Sequence, residues 1–201
     1  MHINTQNILD RYDLKPSEKS PLRISKSRWK ELPTLFHDLG YEKGIEIGVL
    51  KGDFTFTLAQ AGQFIVGIDP WTQYKDYRDY EGKSFEDIEK QARDKVGHFP
   101  NVSLIKGFSE DVVDQFADGS QDWIFLDGNH SLPSVIQDLN LYIPKVKIGG
   151  MICGHDYKRF GGRNFMHVVD AVNAWTYCYH ISPWFLLTND SCPSFFWIRE
   201  Q

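Results

Sequence analysis

The sequence predicts an α/β fold: a doubly wound sheet of seven strands, mostly parallel, with an antiparallel hairpin at its C-terminal end. Three observations predict it. Short apolar runs alternate with helical periodicity from residue 44 onward. Two of those runs end on an acid, Asp69 and Asp127. The last two runs are joined by a connection too short for a parallel crossover.

A chain of 201 residues supports one domain with a substantial core. With 41% hydrophobic and 24% charged residues, composition excludes a disordered chain. The net charge of −5 argues against a nucleic-acid partner, which needs a basic face. No apolar run approaches the roughly 20 residues of a membrane span, and residues 1–5 are polar, unlike a signal peptide. Cys153, Cys178 and Cys192 are odd in number and too widely spaced for a CxxC motif. A reduced, cytoplasmic protein is expected.

Residues 1–24 read as a loosely docked N-terminal arm ahead of one domain, 25–201. Within 25–39, Trp29, Leu32, Leu35, Phe36 and Leu39 recur on one helical face. Pro33 inside that pattern predicts a kink or two shorter helices. Strands follow at 44–48, 63–69, 102–105, 122–127 and 150–154, and helices at 53–61, 84–96, 109–116 and 132–142. Residues 165–178 are helical, and 184–187 and 194–198 form the closing hairpin.

A strand that runs into a glycine turn and then a helix makes a ligand crevice at the carboxyl end of such a sheet. Gly48 and Gly52 frame that turn, with an ordinary loop as the alternative. Glu46 places a carboxylate inside an apolar strand, which is costly unless paired. Asp69 ends the next strand, where this fold class holds ribose hydroxyls; a turn-initiating role before Pro70 is the alternative. The spacing E-x-G-x-x-x-G, with Leu50 inside it, differs from the G-x-G-x-x-G of dinucleotide sites and suits a phosphate-free ligand.

Asp127 and Asp156 end consecutive strands and face the same crevice. His130 follows Asp127 by three residues, and His155 immediately precedes Asp156. A histidine is tuned to act as general base near neutral pH, and oxygen ligands here could hold Mg²⁺. Helix capping for His130, a structural role for His155 and metal-free cofactor positioning for Asp127 are the alternatives. Asp138 is expected to make a salt bridge or orient a loop rather than react.

The segments 44–52, 67–71, 106–109, 127–130 and 149–157 fall in the order and spacing of class I S-adenosylmethionine-dependent methyltransferases, which have a Rossmann-like fold. They most resemble the branch of macrocin-type and mycinamicin-type sugar O-methyltransferases, over roughly residues 29–157. The resemblance implies S-adenosylmethionine as cofactor, its methionine part on Glu46, Gly48 and Gly52 with Val49 between them. It implies ribose on Asp69 beside Pro70 and Trp71, adenine flanked by Phe108 and Ser109, and Asp127 also at the cofactor. It further implies His130 as base, with Asp127 and Asp156 as ligands of a divalent metal such as Mg²⁺ and His155 as a further ligand. Imidazole suits Mg²⁺ less well than oxygen, so either His155 points away or the metal is softer.

The expected reaction is O-methylation of a small-molecule hydroxyl, a sugar among the candidates. A metal-dependent hydroxylase-like enzyme and a non-catalytic cofactor-binding module are the alternatives; oligomeric state is open. The loop 72–83, with Tyr74, Tyr77 and Tyr80, is expected to shape the acceptor pocket. The glycine-broken basic stretch 157–167 reads as a lid or an ordinary surface loop.

Overall fold

The computed structural model describes residues 1–16, 19–73, 82–160 and 166–201. Its strands are β1 (Leu22–Ile24), β2 (Lys43–Ile47), β3 (Phe64–Asp69), β4 (Val102–Lys106), β5 (Gln121–Leu126), β6 (Val146–Gly154), β7 (Phe185–Leu187) and β8 (Ser194–Ile198). They form one sheet in the order β1-β7-β8-β6-β5-β2-β3-β4. All neighbouring pairs are parallel except those made by β8, which runs antiparallel to β6 and β7. The C-terminal hairpin is therefore as expected.

The sheet has eight strands rather than seven. The extra one, β1, lies in the N-terminal stretch and pairs with β7 through Leu22, Arg23 and Ile24. Three residues are too few to show a period-two pattern in sequence, although Leu22 and Ile24 point inward and Arg23 outward. Nor is that stretch loosely docked. Helix α1 (Ile3–Arg11) buries Ile8 and Leu9 completely. Asn4 Nδ2 donates to the Gly149 carbonyl at 2.8 Å, and Thr5 Oγ1 to Glu200 at 2.9 Å.

Helices α2 (Arg28–Asp38), α3 (Asp53–Gln60), α4 (Phe85–Val96), α5 (Ser109–Val112), α6 (Leu132–Tyr142) and α7 (Val168–Cys178) complete the fold. Alternation along β5 splits the core between the two faces of the sheet. Ile124 and Leu126 pack with Val135 and Leu139 of α6 and with Val172 of α7. Trp123 and Phe125 pack with α1, α2 and α3, where Phe36 stacks on Trp123 at 4.8 Å between ring centroids. Helix α2 runs through Pro33 without a break. Its N-terminus is capped from a distance: Asp190 accepts from Ser27 Oγ at 2.7 Å and from the Arg28 N–H at 2.8 Å.

The order of the strands decides where a ligand can go. From β2 the chain winds outward through β3 to β4, then crosses back to β5 on the other side of β2. A crevice opens at that reversal, beyond the carboxyl ends of β2 and β5.

Candidate active site

Residues at those strand ends enclose a cavity of ≈ 300 Å³. Glu46, Gly48, Val49, Asp69, Trp71, Asp127, His130, His155 and Asp156 all line it, so residues up to 110 positions apart in sequence meet at one place. Four expected residues do not line it: Gly52, Pro70, Phe108 and Ser109. Gly52 acts indirectly, ending the turn as the left-handed N-cap of α3. Ser109 is committed elsewhere, donating its hydroxyl to Asp138 at 2.5 Å. Residues 74–81 and 161–165 lie outside the described residues, and with them Tyr74, Tyr77, Tyr80 and the centre of the expected lid.

The β2–β3 side is knit by backbone hydrogen bonds. Gly48, at φ +92°, passes so close to β5 that an added Cβ would stand 2.1 Å from the Asp127 carbonyl oxygen. Leu50 is left-handed at φ +51°, a conformation that costs a side chain about 1 kcal/mol or more. Both of its backbone groups are fixed: its N–H donates to Asp69 Oδ2 at 2.9 Å, and its carbonyl accepts from Trp71 Nε1 at 2.9 Å. Trp71, itself at φ +41°, donates its N–H to Asp69 Oδ1 at 2.7 Å. Asp69 thus starts the turn before Pro70 and also holds the glycine turn of β2. Burial raises its pKa, against the pull of these N–H donors.

Glu46 sits opposite Phe125 in the sheet and is 2% exposed. Burial pushes its pKa up to about 8, although Thr55 Oγ1 donates to it at 2.6 Å. It is therefore largely protonated at neutral pH while nothing cationic is bound beside it.

The β5–β6 side is a cluster of charges. His130 Nε2 lies 3.4 Å from Asp127 Oδ1 and 3.4 Å from Asp156 Oδ2. His155 Nδ1 lies 3.1 Å from Asp156 Oδ1 and 3.7 Å from Asp127 Oδ1. Its other nitrogen, Nε2, is 3.1 Å from the Cys192 carbonyl, which can only accept, so Nε2 carries a proton. Burial opposes charge here, but the two imidazoles hold Asp127 well below the usual carboxylate range. In return, Asp127 outweighs burial to raise His130, and Asp127 with Asp156 brings His155 to about 9. Asp156 is the third left-handed non-glycine residue on this cavity, at φ +54°. Among the described residues donor atoms of Asp127, His130 and Asp156 lie within 4.8 Å of one another, a spacing that could hold a metal ion.

Arg28 is the site residue that sequence reading misses. It lines the cavity from the first turn of α2, 9% exposed, with Nη1 3.6 Å from Asp127 Oδ2. The signal was present: Arg28 precedes Leu32 by four positions and Leu35 by seven, so it stands on the buried stripe of its helix. Trp29, placed on that stripe by periodicity, is instead 37% exposed and meets Phe54 edge-on at the cavity mouth.

A methyltransferase domain family model matches residues 45–157, more than half of the chain. The chain belongs to that family. This methyltransferase is 32% identical over 143 residues to the uncharacterized protein R132 of Acanthamoeba polyphaga mimivirus. The match takes in 68% of this chain and 58% of that protein, so the chain spans less than two thirds of its relative's length. Solved structures share the fold at low identity. Cofactor-bound Rv0187 from MTB superposes with a TM-score of 0.64 at 16% identity, over 100% of this chain and 92% of that one. The O-methyltransferase TomG of Streptomyces achromogenes, involved in tomaymycin synthesis and solved with SAM, gives 0.62 at 14%, over 98% and 88%. The O-methyltransferase NovP gives 0.63 at 18%, over 87% and 80%. Among the described residues no helix of the methyltransferase is long and apolar enough to cross a membrane.

Proposed function

We propose that this methyltransferase moves a methyl group from S-adenosylmethionine to a hydroxyl of a small molecule, with His130 as general base. One observation carries the reading: an imidazole flanked by two carboxylates at 3.4 Å shares a cavity with the glycine turn and its two acids. When bound, the cofactor supplies an electrophilic methyl on a sulfonium, whose positive charge favours the neutral form of a nearby imidazole. In that form His130 Nε2 takes the hydroxyl proton as the oxygen attacks, and Asp127 and Asp156 stabilise the imidazolium that results. Glu46 receives the cofactor's ammonium group and ionises as it does so. Asp69, already fixed by two N–H donors, turns its remaining lone pairs to the ribose hydroxyls.

From the resemblance, a divalent cation would be held by Asp127 and Asp156 with His155 as nitrogen ligand; the donor atoms that come within 4.8 Å of one another are those of Asp127, Asp156 and His130. His155 presents Nδ1 to both carboxylates while Nε2–H donates to a backbone carbonyl, the arrangement that orients a metal-binding histidine. Since His155 does not point away, a first-row transition ion suits the set better than Mg²⁺. Such a cation would lower the pKa of a chelated hydroxyl and orient it. Cytoplasmic location, from the spacing of the cysteines, and a sugar as acceptor, from the resemblance noted in the sequence, belong to the same reading.

The test pairs calorimetry with product analysis. S-adenosylhomocysteine is expected to bind, and labelled cofactor with a panel of sugars, phenols and nucleosides to give a methylated product. His130→Ala is expected to keep that binding and to lose about 10²- to 10⁴-fold in turnover. Absence of binding by either cofactor form would overturn the reading. Stoichiometric iron with oxygen-dependent turnover would favour the hydroxylase instead.

A further inference from the structure

Arg28 lies outside residues 45–157, the part of the chain that the family model covers. Its guanidinium is buried, yet Nε and Nη1 have no hydrogen-bond partner among the described residues. Buried polar groups are ordinarily paired, and a charged one left unpaired is among the costlier defects a fold can carry. Asp127 is near but beyond hydrogen-bond reach, at 3.6 Å.

The side chain is not loose. The guanidinium carbon lies 4.6 Å from the centre of the Trp29 ring, 5.3 Å from that of Phe54 and 5.7 Å from that of Phe125. Asp190 clamps its backbone N–H and the hydroxyl of Ser27. A guanidinium is thus held in place at a cavity wall with Nε and Nη1 unanswered, a cation whose missing partner a bound carboxylate would supply.

We propose that Arg28 anchors the α-carboxylate of the cofactor's methionine end. This rests on the S-adenosylmethionine reading above. The surroundings select a zwitterion over a simple anion. Phe54, which the guanidinium covers, belongs to the first turn of α3, directly after the glycine turn. Glu46 lies close enough for Arg28 to act on its charge, and Asp127 is in near contact. One corner therefore offers a cation for a carboxylate and acids for an ammonium group. A purely anionic acceptor would satisfy Arg28 while setting its charge against Asp127 and leaving Glu46 without a cation to pair with.

The experiment is calorimetry with two ligands, S-adenosylhomocysteine and its decarboxylated analogue, which keeps the amine. Wild-type protein is expected to prefer S-adenosylhomocysteine by about tenfold or more. Arg28→Met is expected to weaken S-adenosylhomocysteine by about 10- to 100-fold and the analogue by less than about threefold. If wild-type protein binds neither ligand, the cofactor reading itself fails, and the anchor with it. If it binds S-adenosylhomocysteine and Arg28→Met weakens both ligands equally, Arg28 is structural and the proposal is overturned. Unchanged S-adenosylhomocysteine affinity with a raised KM for acceptor would assign Arg28 to the acceptor, which also overturns it. Should Arg28→Met not fold, Arg28→Lys keeps the charge and loses the guanidinium. It is then expected to cut the preference for S-adenosylhomocysteine by at least about threefold, and an unchanged preference overturns the proposal.

Discussion

Around Asp69 the polar contacts are hydrogen bonds of 2.7 to 2.9 Å to backbone N–H groups and, through Trp71, to a backbone carbonyl. Around Asp127 the charged groups stand 3.1 to 3.7 Å apart, mostly just beyond hydrogen-bond length. The first region is complete as it stands, its strained Leu50 fixed at both backbone groups. The second gathers opposed charges around one carboxylate, at distances longer than those of the first. On the proposed function the difference separates two tasks: a cofactor cradle gains from being rigid beforehand, whereas a reacting site gains from charged groups gathered where the proton moves.

Gly48 is where the two regions touch, so Gly48→Ala is the most severe way to break the comparison. Its Cβ would stand 2.1 Å from the Asp127 carbonyl oxygen, at a φ of +92° that a side chain resists. The expected outcome is loss of cofactor binding and a destabilisation of about 2 kcal/mol or more, read by calorimetry and thermal melting. A variant that melts like wild type would show that the junction yields and that the regions are less tightly joined.

Metal removal should affect one region and spare the other. After exhaustive chelation, turnover is expected to fall by about 10²-fold or more and to return on adding Mn²⁺ or Mg²⁺. The Kd for S-adenosylhomocysteine should change by less than about threefold, because no donor that would hold the ion lies in the β2–β3 cradle. Equal losses in both would mean that the two regions act as one.

The same division explains what could be read from sequence. Glu46, Gly48 and Gly52 fall within seven residues and Asp69 ends the next strand, so short spacings report the cradle directly. Asp127 with His130 and His155 with Asp156 are two local pairs, and only the parallel pairing of β5 with β6 brings them together. Their positions were legible because strand ends share one edge; their mutual distances were not. Arg28 was overlooked for a different reason, although it stands on the buried stripe of its helix. Its place on the cavity comes from tertiary burial at the start of a helix, and a cation in a first turn ordinarily reads as solvated. Strand β1 was missed because three residues carry no period, and the hydrogen bond of Ser109 to Asp138 was not legible because the two are 29 residues apart.

Asp138 supplies a control that belongs to neither region. It is 6% exposed, and burial pushes its pKa up to about 7 despite the Ser109 hydrogen bond. The folded state therefore keeps a proton that the unfolded state releases near the ordinary aspartate value of 3.8. This contribution is intact below about pH 4 and is lost as pH rises toward 7. Asp138→Asn should remove that slope, gaining about 2 kcal/mol on wild type between about pH 5 and 6.5 in denaturant melts. A slope that survives unchanged would place the titration at Glu46 or in the charged cluster, and so inside one of the two regions compared.

Trp71→Phe probes the cradle most gently. It keeps an aromatic ring at a position 3% exposed but removes the Nε1–H that the Leu50 carbonyl accepts. One neutral hydrogen bond is worth about 1 kcal/mol, so a similar loss of stability and up to about fivefold weaker S-adenosylhomocysteine binding are expected. Leu50 would keep its left-handed conformation through the second tie, the N–H to Asp69 Oδ2. At saturating cofactor the turnover should stay at the wild-type level, because Trp71 touches none of the charged groups around Asp127. Should kcat fall as far as affinity does, rigidity in the cradle would be setting the geometry of the reacting side, and the two regions would share one scaffold.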